Sequence, residues 1–454
     1  MPKICLGCFA EWEEGRTKCN CCGWEPEKQY PDNKLWNIGT VLEKRYLIGK
    51  IYYTKADIVV FRVYDNLLGI PCFFARKLNG NANDLYWLAK QMQHAVLEDK
   101  NTIAIMAIRQ IAKKDVLVFS LEDRYMDKDE FEKILSKSPV DFPDMIGKVE
   151  YESGTEQREQ VLKQDVCVAD RYRIIGCIGI GGFGITYLCE DRILQRNVAL
   201  KEYFPAEWAE RDDEYVVVKS SNMLQTYRYG LQSFMKEARI SSKFIHTPHV
   251  VTLYDVIEAN DTAYIVMEYI NGVSIGREMR AKNYKPYSPE EMAEIILPIL
   301  DGLEEIHAKR IVHSDISPGN IMRTDDGDIC LIDLGAAKYN LESQPVLSAA
   351  FLKLDYAAPE QYRTAKEGIP KDEGPWTDIY AVGATMYYLL TGHKPTDVIS
   401  RLSGKTTELV SPKKYKVKLS KQWMKLIHHA MELERKQRIQ SIPKFRNEIK
   451  ELLK

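Results

Sequence analysis

Hydrophobic and polar positions divide the 454-residue chain into segments with different patterns. Residues 1–30 have little apolar periodicity and hold a cluster of cysteines. From about Leu35 to about Pro139, short apolar runs such as "DIVVFRVYD" and "DVLVFSLED" predict strands, and "DLYWLAKQMQHAVLED" predicts a helix. A polar stretch follows within 140–165, "GKVEYESGTEQREQVLKQD", which predicts a linker or a solvated helix. From near Val166 the chain opens with strand patterns and ends in long amphipathic helices. An α+β fold is expected there, a sheet lobe followed by a helical lobe.

Three stretches of the last segment are explicit enough to place. "SFMKEARISSKF" predicts a helix. "AYIVMEYING" predicts a buried strand that turns at Asn271-Gly272. "YSPEEMAEIILPILDGLEEIHAKR" predicts an amphipathic helix capped by Ser288, opened by Pro289 and completed as a capping box by Glu291. Its Met292, Ile295, Ile296, Ile299, Leu303 and Ile306 share one face. "IYAVGATMYYLLTG" is apolar throughout but too short to span a bilayer, so a buried core helix is expected.

The segments also repeat. "RYLIGKIYYTKADIVVFRVYDNLL" from Arg45 aligns without a gap to "RYRIIGCIGIGGFGITYLCEDRIL" from Arg171. Arg45, Tyr46, Ile48, Asp65 and Leu68 match Arg171, Tyr172, Ile174, Asp191 and Leu194. Further on, "TIAIMAIRQIAKKDVLVFSL" has the apolar spacing of "VVTLYDVIEANDTAYIVMEY". The segment 35–139 therefore reads as a decayed copy of the later sheet lobe. The competing reading is two strand hairpins sharing a pattern by chance.

Composition narrows the class. Charged residues are 28%, hydrophobic residues 45% and the net charge is −2, as in an ordinary globular protein with no electrostatic pull towards nucleic acid or anionic membrane. "MPKICLGCFAEWEEG" lacks the apolar core of a signal peptide. Of ten cysteines, five lie in the first 22 residues and the rest are scattered, unlike a secreted disulfide framework. A reducing, cytoplasmic compartment is expected, with no membrane partner.

The cysteines of the head have metal-ligand spacing. Cys5-x-x-Cys8 and Cys19-x-x-Cys22 are separated by ten residues, so two knuckles would place four thiolates around one structural Zn²⁺. Gly7 and Gly23 suit the tight turns, and Cys21 is spare. A segment this short cannot build a core alone, so the metal would supply its folding energy. The head resembles a zinc ribbon. Free thiols in a loose tail are the plain alternative. No aromatic-basic cluster supports nucleic-acid binding, so a protein-contact role is expected.

The last segment carries chemistry at several points. Gly179-x-Gly181-Gly182-Phe183-Gly184 lies between strand runs, where glycine lets a hairpin backbone approach phosphates. Alone it is weak, since a plain turn would look the same. Downstream, "NVALKEYF" sets Lys201 in an apolar run, where burial demands an anionic partner such as the α/β-phosphates of ATP. Glu237 is the candidate carboxylate to position it; the bland reading is a solvated helix charge. The backbone of Glu268 and Ile270 would be offered to an adenine. "IVHSDISPGNIM" holds His313, Asp315 and Asn320 at the spacing H-x-D-x-x-x-x-N.

With these landmarks in order, the sequence resembles a protein kinase of the eukaryotic type, in the form common among bacterial serine/threonine kinases. The resemblance covers roughly residues 167–454 and includes "IDLG" at Asp333, "YAAPEQY" at Pro359-Glu360, "WTDIYAVG" at Asp378, and Arg438. It implies a bilobal kinase fold with a catalytic domain over 166–454, preceded by the zinc ribbon (1–30), an N-lobe-like domain (35–139) and a linker (140–165). It implies that Asp315 orients the acceptor hydroxyl and takes its proton, that Asn320 and Asp333 hold Mg²⁺ or Mn²⁺, and that Lys201, paired with Glu237, fixes ATP. The ATP contacts it implies are Gly179, Gly181, Gly182, Gly184, Ala199, Lys201, Glu268 and Ile270. Asp378 would brace the catalytic loop, and Glu360 would pair with Arg438. The implied function is transfer of the γ-phosphate of ATP to serine or threonine hydroxyls of a protein substrate.

Two positions depart from the family pattern. Ser314 stands where many relatives carry the Arg that meets an activation-loop phosphate. The segment from Asp333 to Glu360 offers Tyr339, Ser343, Ser348 and Tyr356 as acceptors and lacks the usual threonine before the Ala-Pro-Glu landmark. Ser317 stands where most serine/threonine kinases carry the Lys that touches the transferred phosphoryl. Loss of that charge would cost on the order of a few kcal/mol of transition-state stabilisation unless another group supplies it. Rival readings are an ATP-holding pseudokinase scaffold and a small-molecule kinase. In the decayed copy, Tyr53, Lys55, Ala56 and Ile58 stand at the glycine positions and Ala75 at the lysine position, so no ATP binding is expected there. A docking or regulatory partner role is expected for the ribbon and that copy.

Overall fold

The computed structural model describes residues 4–10, 18–22, 24–25, 36–55, 57–78, 82–94, 103–121, 159–333, 353–367, 373–404 and 409–454. The chain forms two compact units. One comprises Met1–Val217, Ser241–His246 and Thr252–Tyr269; the other comprises Val218–Ile240, Thr247–Val251 and Ile270–Lys454.

The first unit holds two antiparallel six-stranded sheets. β1 (Val41–Leu42), β2 (Tyr46–Lys55), β3 (Ile58–Asp65), β4 (Ile70–Lys77), β5 (Ile103–Ile111) and β6 (Lys114–Leu121) lie in the order β1-β2-β3-β4-β6-β5. The second sheet uses β7 (Cys167–Val168), β8 (Tyr172–Ile180), β9 (Gly184–Asp191) and β10 (Arg196–Tyr203). A hairpin of β11 (Ala209–Asp212) and β12 (Tyr215–Val218) follows, and then β13 (Leu253–Ala259) and β14 (Thr262–Glu268). Its order is β7-β8-β9-β10-β14-β13, strand for strand that of the first sheet. The registers agree as well. Ala75 pairs with Val60 and Leu117, and Lys201 pairs with Thr186 and Ile265 at the aligned positions. The repeat legible in the sequence is therefore a repeat of the fold.

The two copies meet through reciprocal contacts, as a two-fold pair does. Arg45 binds Asp65 in its own lobe (2.7 Å) and donates to the Val256 carbonyl of β13 (3.2 Å). Arg171 binds Asp191 in its own lobe (2.8 Å) and donates to the Ile108 carbonyl of β5 (3.3 Å). The Leu68 carbonyl accepts from Ser242 (3.1 Å), while its counterpart Leu194 enters the apolar core of the first lobe. That core packs the helix Ala82–His94 on the sheet through Leu85, Leu88, Ala89 and Met92. It also contains Tyr53 and Ala75, the residues standing at the first glycine and lysine positions.

The Cys-rich head sits on the first sheet. Lys50 donates its backbone N–H to Leu6 (2.9 Å), and the rings of Phe9 and Tyr64 lie 5.5 Å apart. A Cβ at Gly49 would come within 2.6 Å of the Leu6 carbonyl, so glycine permits this approach.

In the second unit the helix Pro289–Ala308 forms as its pattern predicts, with the Ser288–Glu291 capping box present and the six named apolar residues buried. The helix Pro375–Thr391 is buried from Thr377 to Thr391, which explains its lack of a polar face. Gly392 ends it in the left-handed region at φ 71°, where a Cβ would lie 2.1 Å from the Tyr284 carbonyl. Among the described residues no helix is long and apolar enough to cross a membrane.

Four expectations need adjustment. The helix around Glu237 begins earlier than its quoted stretch and spans Leu224–Ser241. The Asn271-Gly272 turn is instead the entry to a strand, β15 (Gly272–Ser274), which pairs with β16 (Ile321–Thr324). A Cβ at Gly272 would meet the Arg323 carbonyl at 2.1 Å, so the glycine serves strand approach. Near the end of the polar stretch two residues are not solvated: Val161 and Leu162 are buried, and Leu162 donates its N–H to the Tyr187 hydroxyl (3.2 Å), while Lys163, Gln164 and Asp165 are exposed. Tyr356, counted as an acceptor, is buried against Tyr388 and is no exposed target. Tyr339, Ser343, Ser348 and Gly23 lie outside the described residues.

Candidate active site

The second unit builds the H-x-D-x-x-x-x-N loop around a buried carboxylate. Asp378, fully buried in its helix, accepts the backbone N–H of His313 (2.9 Å) and of Ser314 (2.8 Å) and bonds His307 Nε2 (2.7 Å). Burial alone would raise its pKa. The His307 hydrogen bond and the loop N–H groups outweigh that and hold it below the usual carboxylate value. Ser314 takes a left-handed backbone (φ 64°), and its hydroxyl donates to Glu373 (2.7 Å). Gln361 Nε2 donates to the Ser314 carbonyl (2.8 Å). The residue at the usual arginine position thus binds a carboxylate, which would repel a phosphate there.

This bracing presents Asp315. Asn320 Nδ2 donates to the Asp315 carbonyl (2.8 Å) and to its carboxylate (2.9 Å), so the Asn320 amide oxygen is the atom available to a metal. A hairpin of β16 and β17 (Ile329–Leu331) pairs Ile321 with Leu331. Ile332 N–H then bonds the Asn320 carbonyl (2.9 Å), which sets Asn320 one residue from the level of Asp333. Asp333 has φ 63°, a conformation aspartate tolerates better than most residues. Glu360 accepts from Arg438 (2.8 and 3.2 Å) and Thr377 (2.8 Å), with the Arg438 side chain fully buried.

One contact was absent from the sequence reading. Lys353 Nζ lies 3.2 Å from the Asp315 carboxylate and 3.0 Å from Ser317 Oγ. Ser314, Asp315, Lys353, Tyr356 and Gln361 line a small open pocket. The signal available in the sequence was a lysine three residues before Tyr356, on the stretch leading to Pro359-Glu360.

The first unit carries the other expected residues. β8 and β9 form the glycine hairpin, closed by Gly181 N–H to the Gly184 carbonyl (2.8 Å). A Cβ at Gly184 would lie 2.4 Å from the Glu202 carbonyl of β10. The hairpin is pinned by Phe204 N–H to the Phe183 carbonyl (2.9 Å) and by Phe183 against Trp208. Ala199 pairs with Leu188 and Met267, two residues before Lys201 on β10. The Glu268 N–H bonds the Thr252 carbonyl (2.8 Å), and Glu268 pairs with Val198 at the end of β14. Ile270 and the buried Glu237 belong to the second unit. A buried network of Glu202 with Arg211, Tyr187 and Tyr264 stiffens this lobe and was not foreseen.

The four head sulfurs converge. Cys5, Cys8, Cys19 and Cys22 Sγ all lie within 4.8 Å of one another, with Cys5–Cys22 at 3.7 Å and Cys8–Cys19 at 3.6 Å. Four sulfurs about 2.3 Å from one tetrahedral Zn²⁺ would be roughly 3.8 Å apart, so the cage fits. The Gly7 N–H donates to Cys5 Sγ (3.2 Å), as expected for a thiolate-stabilising knuckle.

A sheet lobe with a glycine hairpin and an interior lysine, together with a helical lobe presenting an Asp–Asn pair on a braced loop, defines a bilobal phosphotransferase. The chain belongs to the protein kinase domain family, which residues 172–453 match. It is 33% identical over 238 residues to the serine/threonine-protein kinase PrkC of Bacillus subtilis (strain 168), covering 52% of this chain and 33% of that protein. It is 32% identical over 231 residues to the probable serine/threonine-protein kinase PknB of Lactococcus lactis, covering 50% and 33%. The matches thus span about a third of these relatives' length. A solved structure described as the apo form of PpkA-294 is 27% identical at a TM-score of 0.54, covering 65% of this chain and all of that one. Family membership implies ATP and Mg²⁺ or Mn²⁺.

Proposed function

We propose that the chain is an ATP-dependent serine/threonine protein kinase whose catalytic domain spans 166–454. The observation that carries this reading is the Asp315–Asn320 pair held on a loop whose N–H groups are fixed by buried Asp378. Asp315 accepts the proton of the acceptor hydroxyl. Asn320 and Asp333 offer oxygens to Mg²⁺ or Mn²⁺, which would offset charge on the phosphates. Lys201, positioned by Glu237, binds the phosphates under Gly179, Gly181, Gly182 and Gly184. Ala199 and the backbone of Glu268 and Ile270 receive the adenine. Ser314 bound to Glu373 supports a kinase not switched through a phosphate at that point. The test is transfer of labelled phosphate from ATP with Mg²⁺ to a generic basic protein, comparing the wild-type chain with Asp315→Ala. Label with both, or with neither, sinks the reading; acid hydrolysis of labelled product names the acceptor residue.

The head (1–30) is a zinc ribbon with Cys5, Cys8, Cys19 and Cys22 as ligands, supported by the sulfur spacing. One Zn²⁺ per chain by elemental analysis, lost in Cys8→Ser, is the expected result. The domain 35–139, with its linker 140–165, is a non-catalytic regulatory or docking module. Tyr53 and Ala75 in its core support this. With Lys201→Ala in the full chain, a fluorescent ATP analogue should find no second site. Five cysteines clustered at metal-ligand spacing in the first 22 residues and the rest scattered singly support a reducing, cytoplasmic compartment.

A further inference from the structure

We infer that Lys353 is the cation that meets the transferred phosphoryl group, taking over from outside the catalytic loop the charge that Ser317 lacks. The inference rests on the kinase reading above and deepens it.

The geometry is specific. Lys353 Nζ is within hydrogen-bond distance of the Asp315 carboxylate (3.2 Å) and of Ser317 Oγ (3.0 Å). An ammonium has three N–H donors, so these two contacts leave one for an incoming phosphoryl oxygen. Asp315 is 8% exposed and Ser317 is 1% exposed, whereas the Lys353 side chain is 39% exposed and borders the pocket beside Asp315. The buried members therefore fix the ammonium, and its open side faces the space an acceptor must enter. Ser317 has a defined part: its hydroxyl holds Nζ near the Asp315 carboxylate instead of contributing a charge itself.

The reaction places demands on such a group. The acceptor oxygen forms a bond to the γ-phosphorus. The bond from the γ-phosphorus to the β–γ bridging oxygen breaks, and ADP leaves with that electron pair. The acceptor proton passes to the Asp315 carboxylate. Negative charge is spread over the equatorial oxygens of the transferring group throughout, and a cation beside the base is where it is best met. Among the described residues Lys353 is the cationic side chain bonded to Asp315. The sequence presents a position swap: the usual lysine site holds serine, and a lysine 36 residues later occupies its space.

The test uses the full chain in steady-state phosphoryl transfer to a basic protein acceptor. Lys353→Met should lower kcat on the order of 10²-fold with KM for ATP changed by less than about three-fold, because the contact matters in the transition state. Its melting temperature should stay near wild type. Adding Ser317→Lys to Lys353→Met should return kcat to within about ten-fold of wild type, since the charge re-enters at the same carboxylate. A Lys353→Met chain that keeps more than about a third of wild-type kcat overturns the inference. So does a folded Lys353→Met chain that Ser317→Lys fails to rescue. If wild type and Asp315→Ala are equally inactive, the kinase reading itself fails and the inference goes with it. An active wild type with an equally active Lys353→Met removes the inference alone.

Discussion

Asp255 offers the sharpest stability test, because one buried carboxylate serves both sheet copies. It sits on β13, 2% exposed, bonded to Arg45 at 3.1 Å and to Arg109 of β5. Burial would raise its pKa; the Arg109 and Arg45 charges, with Arg171 behind them, outweigh burial and hold it below the usual carboxylate value. Asp255→Ala affects the two arginines unequally. Arg45 keeps a two-pronged bond to Asp65 (2.9 and 2.7 Å). Among the described residues Arg109 keeps the Tyr46 hydroxyl (2.6 Å) and no anion. Stranding a buried charge costs about 3–5 kcal/mol; the Arg109 side chain is 23% exposed, so we set the loss near the lower end, about 3 kcal/mol. For a unit of this size that lowers the melting temperature by roughly 6–12 °C. Differential scanning calorimetry at neutral pH would read it. Arg109→Met with Asp255→Leu removes both charges and should recover to within about 1 kcal/mol of wild type. A single Asp255→Ala that melts within about 2 °C of wild type, or a double substitution no better than the single, would refute the argument.

Other substitutions probe the helical unit. Arg438→Ala leaves Glu360 buried with the Thr377 hydroxyl, and should cost about 3–5 kcal/mol in denaturant unfolding. Gly392→Ala must hold φ near 71° with its Cβ 2.1 Å from the Tyr284 carbonyl; a loss above roughly 2 kcal/mol is expected, and a neutral result would contradict the packing. Asp378 has a depressed pKa, so its contribution to stability is present above the unfolded carboxylate value and is lost as pH falls through its folded value. In melts taken below about pH 4, wild type should therefore lose stability more steeply than Asp378→Asn. Chelation with a strong zinc ligand should release the head from the first sheet, seen as faster amide exchange at Lys50, whose N–H bonds Leu6.

How much of this was legible in the sequence depends on the range of each interaction. The helix Pro289–Ala308 was legible residue by residue, because its cap, opening proline and apolar face are local signals. The duplication was legible through the Arg–Tyr and Asp–Leu positions, since each Arg–Asp pair closes its own lobe 20 residues apart. The Cys pairs announced their cage by spacing alone. The burial of Tyr356 and of Val161 with Leu162 was not legible, because polar neighbours in the chain say nothing about what folds over them.

Lys353 and Asp255 were hidden for a stronger reason. A motif reading assigns each charge to a position and counts a substituted position as a loss. Ser317 is counted that way, and the sequence does not say which other group could supply the charge. Space imposes a different constraint: the Asp315 carboxylate, 8% exposed, needs a cation within reach, and the chain can supply it from any element that passes. Here that element is the stretch before Tyr356, whose Nζ stands 3.2 Å from the carboxylate. The same logic holds at β13. Ala107 stands at the repeat position of Asp255 and Ile257 at that of Arg109, so the charge network follows only one half of the repeat while the backbone follows both. In both places the conserved quantity within the molecule is a charge at a point in space, not a residue type at a position in the chain. The Ser317→Lys rescue of Lys353→Met tests that principle directly.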